Sequence, residues 1–146
     1  MLRIEWKVMF ENGSTYVDAL KMKVTSLKML KEIIKAIKDA GKPYKYITID
    51  TITAIEEMCK PVALAMYREG PTFSDKYANV EDITKLPNGQ GYAFLRDAIE
   101  KVIALIASAT DNIIICGHVK DTAINEGLEG SVKDLDLAGN FFGKII

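Results

Sequence analysis

Asp50 closes a short apolar run, Tyr46-Ile47-Thr48-Ile49-Asp50-Thr51, in which nothing before the carboxylate is polar enough for a surface strand. Such a run reads as a buried parallel strand that delivers one charge to its carboxyl end, where open α/β sheets place their ligands. A carboxylate at that address can hold the magnesium that bridges a nucleotide's phosphates. The bland alternative is an aspartate that caps the next helix. Thr51 carries the same pair of readings, a hydrogen bond to a metal-bound water or a helix cap, and capping is the commoner role. Glu11 stands beside the turn pair Asn12-Gly13, the setting of an ordinary solvated turn residue. His118 follows the apolar run ending at Cys116 by two residues, and a lone histidine at a strand end is usually a hydrogen-bonded loop residue. Glu56 and Glu57 read as an exposed helix face.

The elements that must position these residues alternate between strand and helix. Residues 2–10 alternate as a strand, with Ile4, Trp6, Val8 and Phe10 on one face. From Ser26 to Ala40, Leu27, Leu30, Ile33, Ile34 and Ile37 recur at helical spacing, with Ser26 as N-cap and Gly41-Lys42-Pro43 as the stop. A strand over 45–50 follows, then a helix from about 53 to 68 broken by Gly70-Pro71. Residues 70–91 show no period and hold several Gly and Pro breakers, which predicts a long mobile loop. A helix resumes over 92–109, and a wholly apolar strand, 112–116, leads into Gly117-His118-Val119-Lys120-Asp121. Residues 122–140 are polar and glycine-bearing.

Composition bounds what this array can be. With 146 residues, 49% of them hydrophobic and 27% charged, the chain buries one sizeable core, so residues 1–146 are expected to form a single domain. A net charge of −1 gives no global attraction for nucleic acid or an anionic membrane, so a DNA contact would come from local loops. No apolar run reaches the length of a membrane span and the first residues lack a signal peptide's apolar core, which predicts a cytoplasmic protein without membrane contact. Cys59 and Cys116 lie far apart in unlike settings and read as buried, reduced thiols, and one histidine argues against a zinc site.

The order of elements resembles the RecA-type P-loop ATPase core, and the wording of segments 9–38, 44–58, 86–99 and 112–139 is similar to phage-encoded ATPases of the Sak-type single-strand-annealing group. The residues that carry the resemblance are Phe10-Glu11-Asn12-Gly13, Ile47-Thr48-Ile49-Asp50-Thr51, Leu86-Pro87-Asn88-Gly89-Gln90-Gly91-Tyr92 and Cys116-Gly117-His118-Val119-Lys120-Asp121. The resemblance implies a three-layer αβα fold around a mostly parallel sheet of three or four strands. It implies ATP and magnesium as cofactors, with Asp50 the Walker B carboxylate on the magnesium side and Thr51 beside it. Glu11 would polarise the attacking water, and His118 would sense the γ-phosphate. It also implies DNA contact near residues 121–137, flanked or entered by Lys120 and Lys133. There Asp121, Glu126, Glu129, Asp134 and Asp136 outnumber the lysines, an arrangement poorly suited to binding phosphate. Lys76 and Tyr77 in the 70–91 loop, with Arg68 and Lys85 nearby, suit base stacking and backbone contact.

One motif of that family does not occur in this chain. A P-loop needs G-x-x-x-x-G-K-[ST], whose backbone N–H groups cradle the phosphates. Here Gly41-Lys42 is followed by Pro43 and Gly143-Lys144 by Ile145. The expectation is a core lacking its first βα unit and its last strands, unable to hydrolyse ATP alone: a fragment, a gene remnant or a domain that borrows its missing parts. The family's strand order would then leave 112–116 as an uncovered sheet edge. An uncovered apolar edge predicts a homo-oligomer or strand exchange through 1–10 or 141–146. Single-stranded DNA and recombination proteins are the other partners expected. The rival reading is a non-catalytic interaction module that keeps the fold without nucleotide chemistry.

Overall fold

The computed structural model describes residues 6–9, 20–123 and 131–135, and the surroundings of side chains from 20 to 118. Its centre is a four-stranded, all-parallel sheet in the order β2-β1-β3-β4, formed by β1 (Trp6–Met9), β2 (Leu20–Lys23), β3 (Ile47–Asp50) and β4 (Ile113–Cys116). Only part of the strand read over 2–10 is described. The segments 1–5 and 141–146 lie outside the described residues, as does Glu11. β2 is an addition to the reading of the sequence. Its four residues, Leu-Lys-Met-Lys, alternate over too short a span to declare a strand without the neighbour they pair with.

Three helices connect the strands. In α1 (Leu27–Asp39) Leu30, Ile33, Ile34 and Ile37 are buried at helical spacing, and the Ser26 hydroxyl accepts a hydrogen bond from the Met29 amide at 3.2 Å, the expected N-cap. The stop is also where the sequence puts it: Gly41 and Lys42 both take positive φ, and the Lys42 amide donates to the Ile37 carbonyl at 3.0 Å. α2 (Ile52–Glu69) and α3 (Gln90–Ala107) make the most extensive helix pair, and Ile55, Cys59 and Ala63 of the first and Leu95, Ala98 and Ile99 of the second are all 0–2% exposed. Burial of each large aliphatic side chain contributes about 1.5–3 kcal/mol.

Both crossovers, β2 to β3 through α1 and β3 to β4 through α2 and α3, move the same way across the sheet. Right-handed connections of that kind place their helices on one face, and α1 touches α3 as α3 touches α2. That face holds Leu20, Met22, Ile47, Ile49, Ile113 and Ile115 in register; the other holds Lys21, Lys23, Thr48, Asp50, Ile114 and Cys116. The α/β class and the parallel sheet are as expected, and the described helices form one layer of it.

Two expectations about loops are corrected. Residues 70–89 are not a long mobile loop but three short 3-10 turns, Asp75–Tyr77, Ile83–Lys85 and Pro87–Gly89, tied into the core by Ile83 at 0% and Leu86 at 4% exposure. The ends of the connection meet: the Tyr67 ring lies 5.7 Å from both Phe73 and Phe94, and its hydroxyl accepts from the Ser74 amide. Gly91 fixes the entry to α3, since a Cβ there would sit 1.7 Å from the Ile83 carbonyl oxygen. Of the segment 121–137, read as a loop, the described residues 121–123 and 131–135 instead lie in an antiparallel pair of β5 (Val119–Ala123) and β6 (Ser131–Leu135). No apolar alternation announces it, because its pairing positions carry charge.

Candidate functional site

The carboxyl ends of β3 and β4 converge on the sequence-derived candidates. Parallel pairing sets Asp50 opposite Met9 on one side and Cys116 on the other. Asp50 is 9% exposed and Thr51 4% exposed, whereas His118 is exposed on the link between β4 and β5. Glu11 lies outside the described residues. The Asp50–Thr51 peptide is cis.

Thr51 departs from its commoner reading. It occupies the N-cap position of α2 with extended backbone, φ −124° and ψ 169°, yet its side chain makes no capping bond. Its Oγ1 is buried and has no hydrogen-bond partner among the described residues. A buried hydroxyl without a partner is costly, and such groups call for an explanation in function or in an unseen ligand. Magnesium keeps several waters and takes one or two carboxylates plus substrate phosphates, so a buried carboxylate with a spare hydroxyl beside it fits a water-mediated magnesium contact. Among the described residues no group of three or more His, Cys, Asp or Glu side chains gathers to hold a metal unaided.

Behind this end of the sheet, α2 brings a second acid inward. Glu56 is 5% exposed, correcting its reading as part of a solvated helix face, while Glu57 is exposed and pairs with Lys60 as a surface residue should. The helical period places Glu56 with Ile52, Ile55 and Cys59 on the buried side, a signal available in the sequence but outweighed by the adjacent Glu57. Cys59, one turn on, is fully buried; desolvation first, and then the Glu56 charge, pushes its thiol up to about 12. Both cysteines are free, as expected, but only Cys59 is buried; Cys116 is half-buried at the end of the edge strand β4.

The candidates for nucleic-acid contact fall elsewhere. Lys76 and Tyr77 sit on the α2–α3 connection, with the Lys76 ammonium 5.4 Å from the centre of the Tyr77 ring. Arg68 is committed to that connection, donating to the Ala78 and Val80 carbonyls at 3.4 and 3.1 Å. Lys120 and Lys133 are in β5 and β6, where Lys120 pairs in register with Asp134 and Lys133 with Asp121. Each lysine position is thus matched by a carboxylate position directly across the hairpin, the arrangement that stabilises paired strands. The hairpin springs from β4 after only Gly117 and His118.

At the opposite, amino end of the sheet, Thr110 fastens β4 to β3. Its hydroxyl lies 3.1–3.3 Å from the carbonyl oxygens of Tyr44, Lys45 and Asn112, and it accepts from the Asn112 amide. Asn112 Nδ2 donates to the Lys45 carbonyl at 2.9 Å. This pins the register that brings Asp50 level with Cys116.

Among the described residues no helix is long and apolar enough to cross a membrane. The family described as an AAA domain has a model that matches residues 7–135. No curated protein and no solved structure matches the chain.

Proposed function

The chain belongs to the AAA domain family of ATPase-like proteins, and from that premise we propose that it is the Walker B and sensor part of a phage RecA-like ATPase core that serves DNA recombination or single-strand annealing. In this reading Asp50 holds magnesium through water, with Thr51 beside it, Glu11 polarises the attacking water and His118 senses the γ-phosphate. Bound magnesium would neutralise charge on the β- and γ-phosphates. The chain's own contribution is to fix a carboxylate and a hydroxyl at one strand end. The observation that carries the reading is the placement of Asp50, Thr51 and the start of the His118 link at the carboxyl ends of adjacent parallel strands, with the Thr51 hydroxyl buried and unpartnered. Because no phosphate-cradling string occurs in these residues, the chain alone does not hydrolyse ATP. It works in the cytoplasm as a homo-oligomer, or completed by another segment along β4, where Ile114 and Ile115 are 48% and 40% exposed on the sheet edge.

The test is annealing of complementary fluorescent oligonucleotides with and without the chain, beside calorimetric titration with Mg-ATP. Faster annealing or strand binding without ATP turnover supports the proposal. A chain that neither binds DNA nor alters annealing leaves the second reading, a non-catalytic interaction module, which the missing G-x-x-x-x-G-K-[ST] string favours.

A further inference from the structure

The charge of this molecule is unevenly distributed. The chain as a whole carries −1, yet residues 20–45 contain eight lysines against two carboxylates, Glu32 and Asp39. Four of the lysines, Lys28, Lys31, Lys35 and Lys38, lie on α1 at intervals of three, four and three residues, so they form a stripe on its solvent side, roughly 80° wide and roughly 15 Å long. All four are exposed, and Lys42 and Lys45, also exposed, extend the row past the helix end. None of the six is in an ion pair with a described residue; the ion pairs among the described residues are Lys60–Glu57 and Lys101–Asp97. Glu32 and Asp39 run alongside: Glu32 lies four residues after Lys28 and three before Lys35, and Asp39 four after Lys35, so the two acids offset only part of the stripe's charge.

We infer that this lysine stripe is a track for the phosphate backbone of single-stranded nucleic acid. A narrow row of point charges spaced about 5 Å apart along a helix matches one strand's phosphates, and Lys is a capable phosphate partner where no bidentate fork is required. At the end of the row Tyr44 and Tyr46 are half-buried, and the Lys45 ammonium lies 5.5 Å from the Tyr46 ring centre. Cations beside partly exposed aromatic faces are the combination that holds unpaired bases without reading their sequence. By connectivity α1 runs from the carboxyl end of β2 to the amino end of β3, so the track starts at the end of the sheet that carries Asp50. The inference deepens the DNA part of the proposed function and needs no nucleotide. It assigns the contact to α1 in place of the charge-matched hairpin.

Fluorescence anisotropy with a labelled oligothymidylate of about 20 nucleotides tests it on the full chain, across a salt series. The comparison is wild type, the quadruple variant K28Q/K31Q/K35Q/K38Q and the hairpin variant K120Q/K133Q, with circular dichroism verifying that each is folded. The substitutions are exposed and glutamine has nearly the helix propensity of lysine. The expected result is a loss of affinity of about tenfold or more for the quadruple variant, a salt slope shallower by about 2–3, and wild-type binding by the hairpin variant. Equal binding by the quadruple variant and wild type, with loss in the hairpin variant, overturns the α1 track and leaves the DNA function standing. No binding by wild type overturns both. Tighter binding to duplex DNA, or to vesicles containing phosphatidylserine, overturns the assignment of the stripe to a single strand.

Discussion

Asp50 and Cys116 are register partners on adjacent parallel strands, so the Gly117-His118 link leaves the sheet beside the buried carboxylate. Four residues of strand on each side suffice for this, because the Thr110 and Asn112 contacts fix the register from the opposite end.

Magnesium and a strand-end carboxylate hold a triphosphate only weakly without a cradle of backbone N–H groups, since most charge-assisted contacts to it are then missing. These 146 residues are therefore expected not to bind Mg-ATP with micromolar affinity. Isothermal titration is the check, and tight saturable binding would require a phosphate site unlike a P-loop.

Thr51→Val distinguishes an unpartnered hydroxyl from a cap. Loss of a working N-cap costs about 1 kcal/mol, whereas replacing a buried hydroxyl that has no partner is neutral or slightly stabilising. Urea denaturation should place the variant within about 0.5 kcal/mol of wild type or above it.

Gly91→Ala should damage the fold severely. The added Cβ would meet the Ile83 carbonyl oxygen at 1.7 Å and its carbon at 2.7 Å, both backbone atoms of a residue that is 0% exposed. The turn or α3 must shift, at a cost of about 3 kcal/mol or more. Gly89→Ala is a milder control whose Cβ meets only the Tyr92 ring, at an ordinary 3.7 Å, but must hold φ +69°. Thermal melts of the two variants should rank in that order.

The Cys59 thiol gives stability a component that alkali removes. Its folded-state value, raised from 9.0 to about 12, means the folded chain holds this proton more tightly than the unfolded one. The contribution is complete below about pH 9 and is lost as pH rises from there towards 12. Cys59→Ala loses this dependence, so its deficit relative to wild type should shrink by about 1–2 kcal/mol between pH 8 and pH 10.5. A thiol reagent at pH 8 should modify the partly exposed Cys116 well before Cys59.

Periodicity made the helices legible because each buries a regular stripe, and Ser26 and Gly41 mark the two ends of α1 through local chemistry. β2 and the hairpin escaped notice because four or five charged, alternating residues become strands only through the neighbours they pair with. The 70–89 connection misled for a related reason: its order comes from Ile83, Leu86 and the Tyr67 ring, contacts made across sequence and invisible to any local period. At the site Asp50 could be read from its strand, but the idle Thr51 hydroxyl and the buried side of Glu56 are properties of packing. The lysine stripe was in plain view as sequence; net charge averaged it away.

β4 offers the last prediction. In the reading of the sequence, the continuous run Ile113-Ile114-Ile115 is left as an uncovered sheet edge once the family's first βα unit is missing. In the structure it is the edge of the described sheet, with Ile114 on one face 48% exposed and Ile115 on the other 40% exposed. Unpaired N–H and C=O groups beside such side chains favour pairing with another strand, and a charge at the edge is the usual means of preventing it. The chain is therefore expected to self-associate in sedimentation equilibrium at tens of micromolar, and Ile114→Lys should shift it towards monomer by tenfold or more in dissociation constant while leaving the melting temperature within a few degrees. A wild-type chain that stays monomeric at millimolar concentration would mean that the edge is already covered within the molecule, and the oligomer would have to be given up.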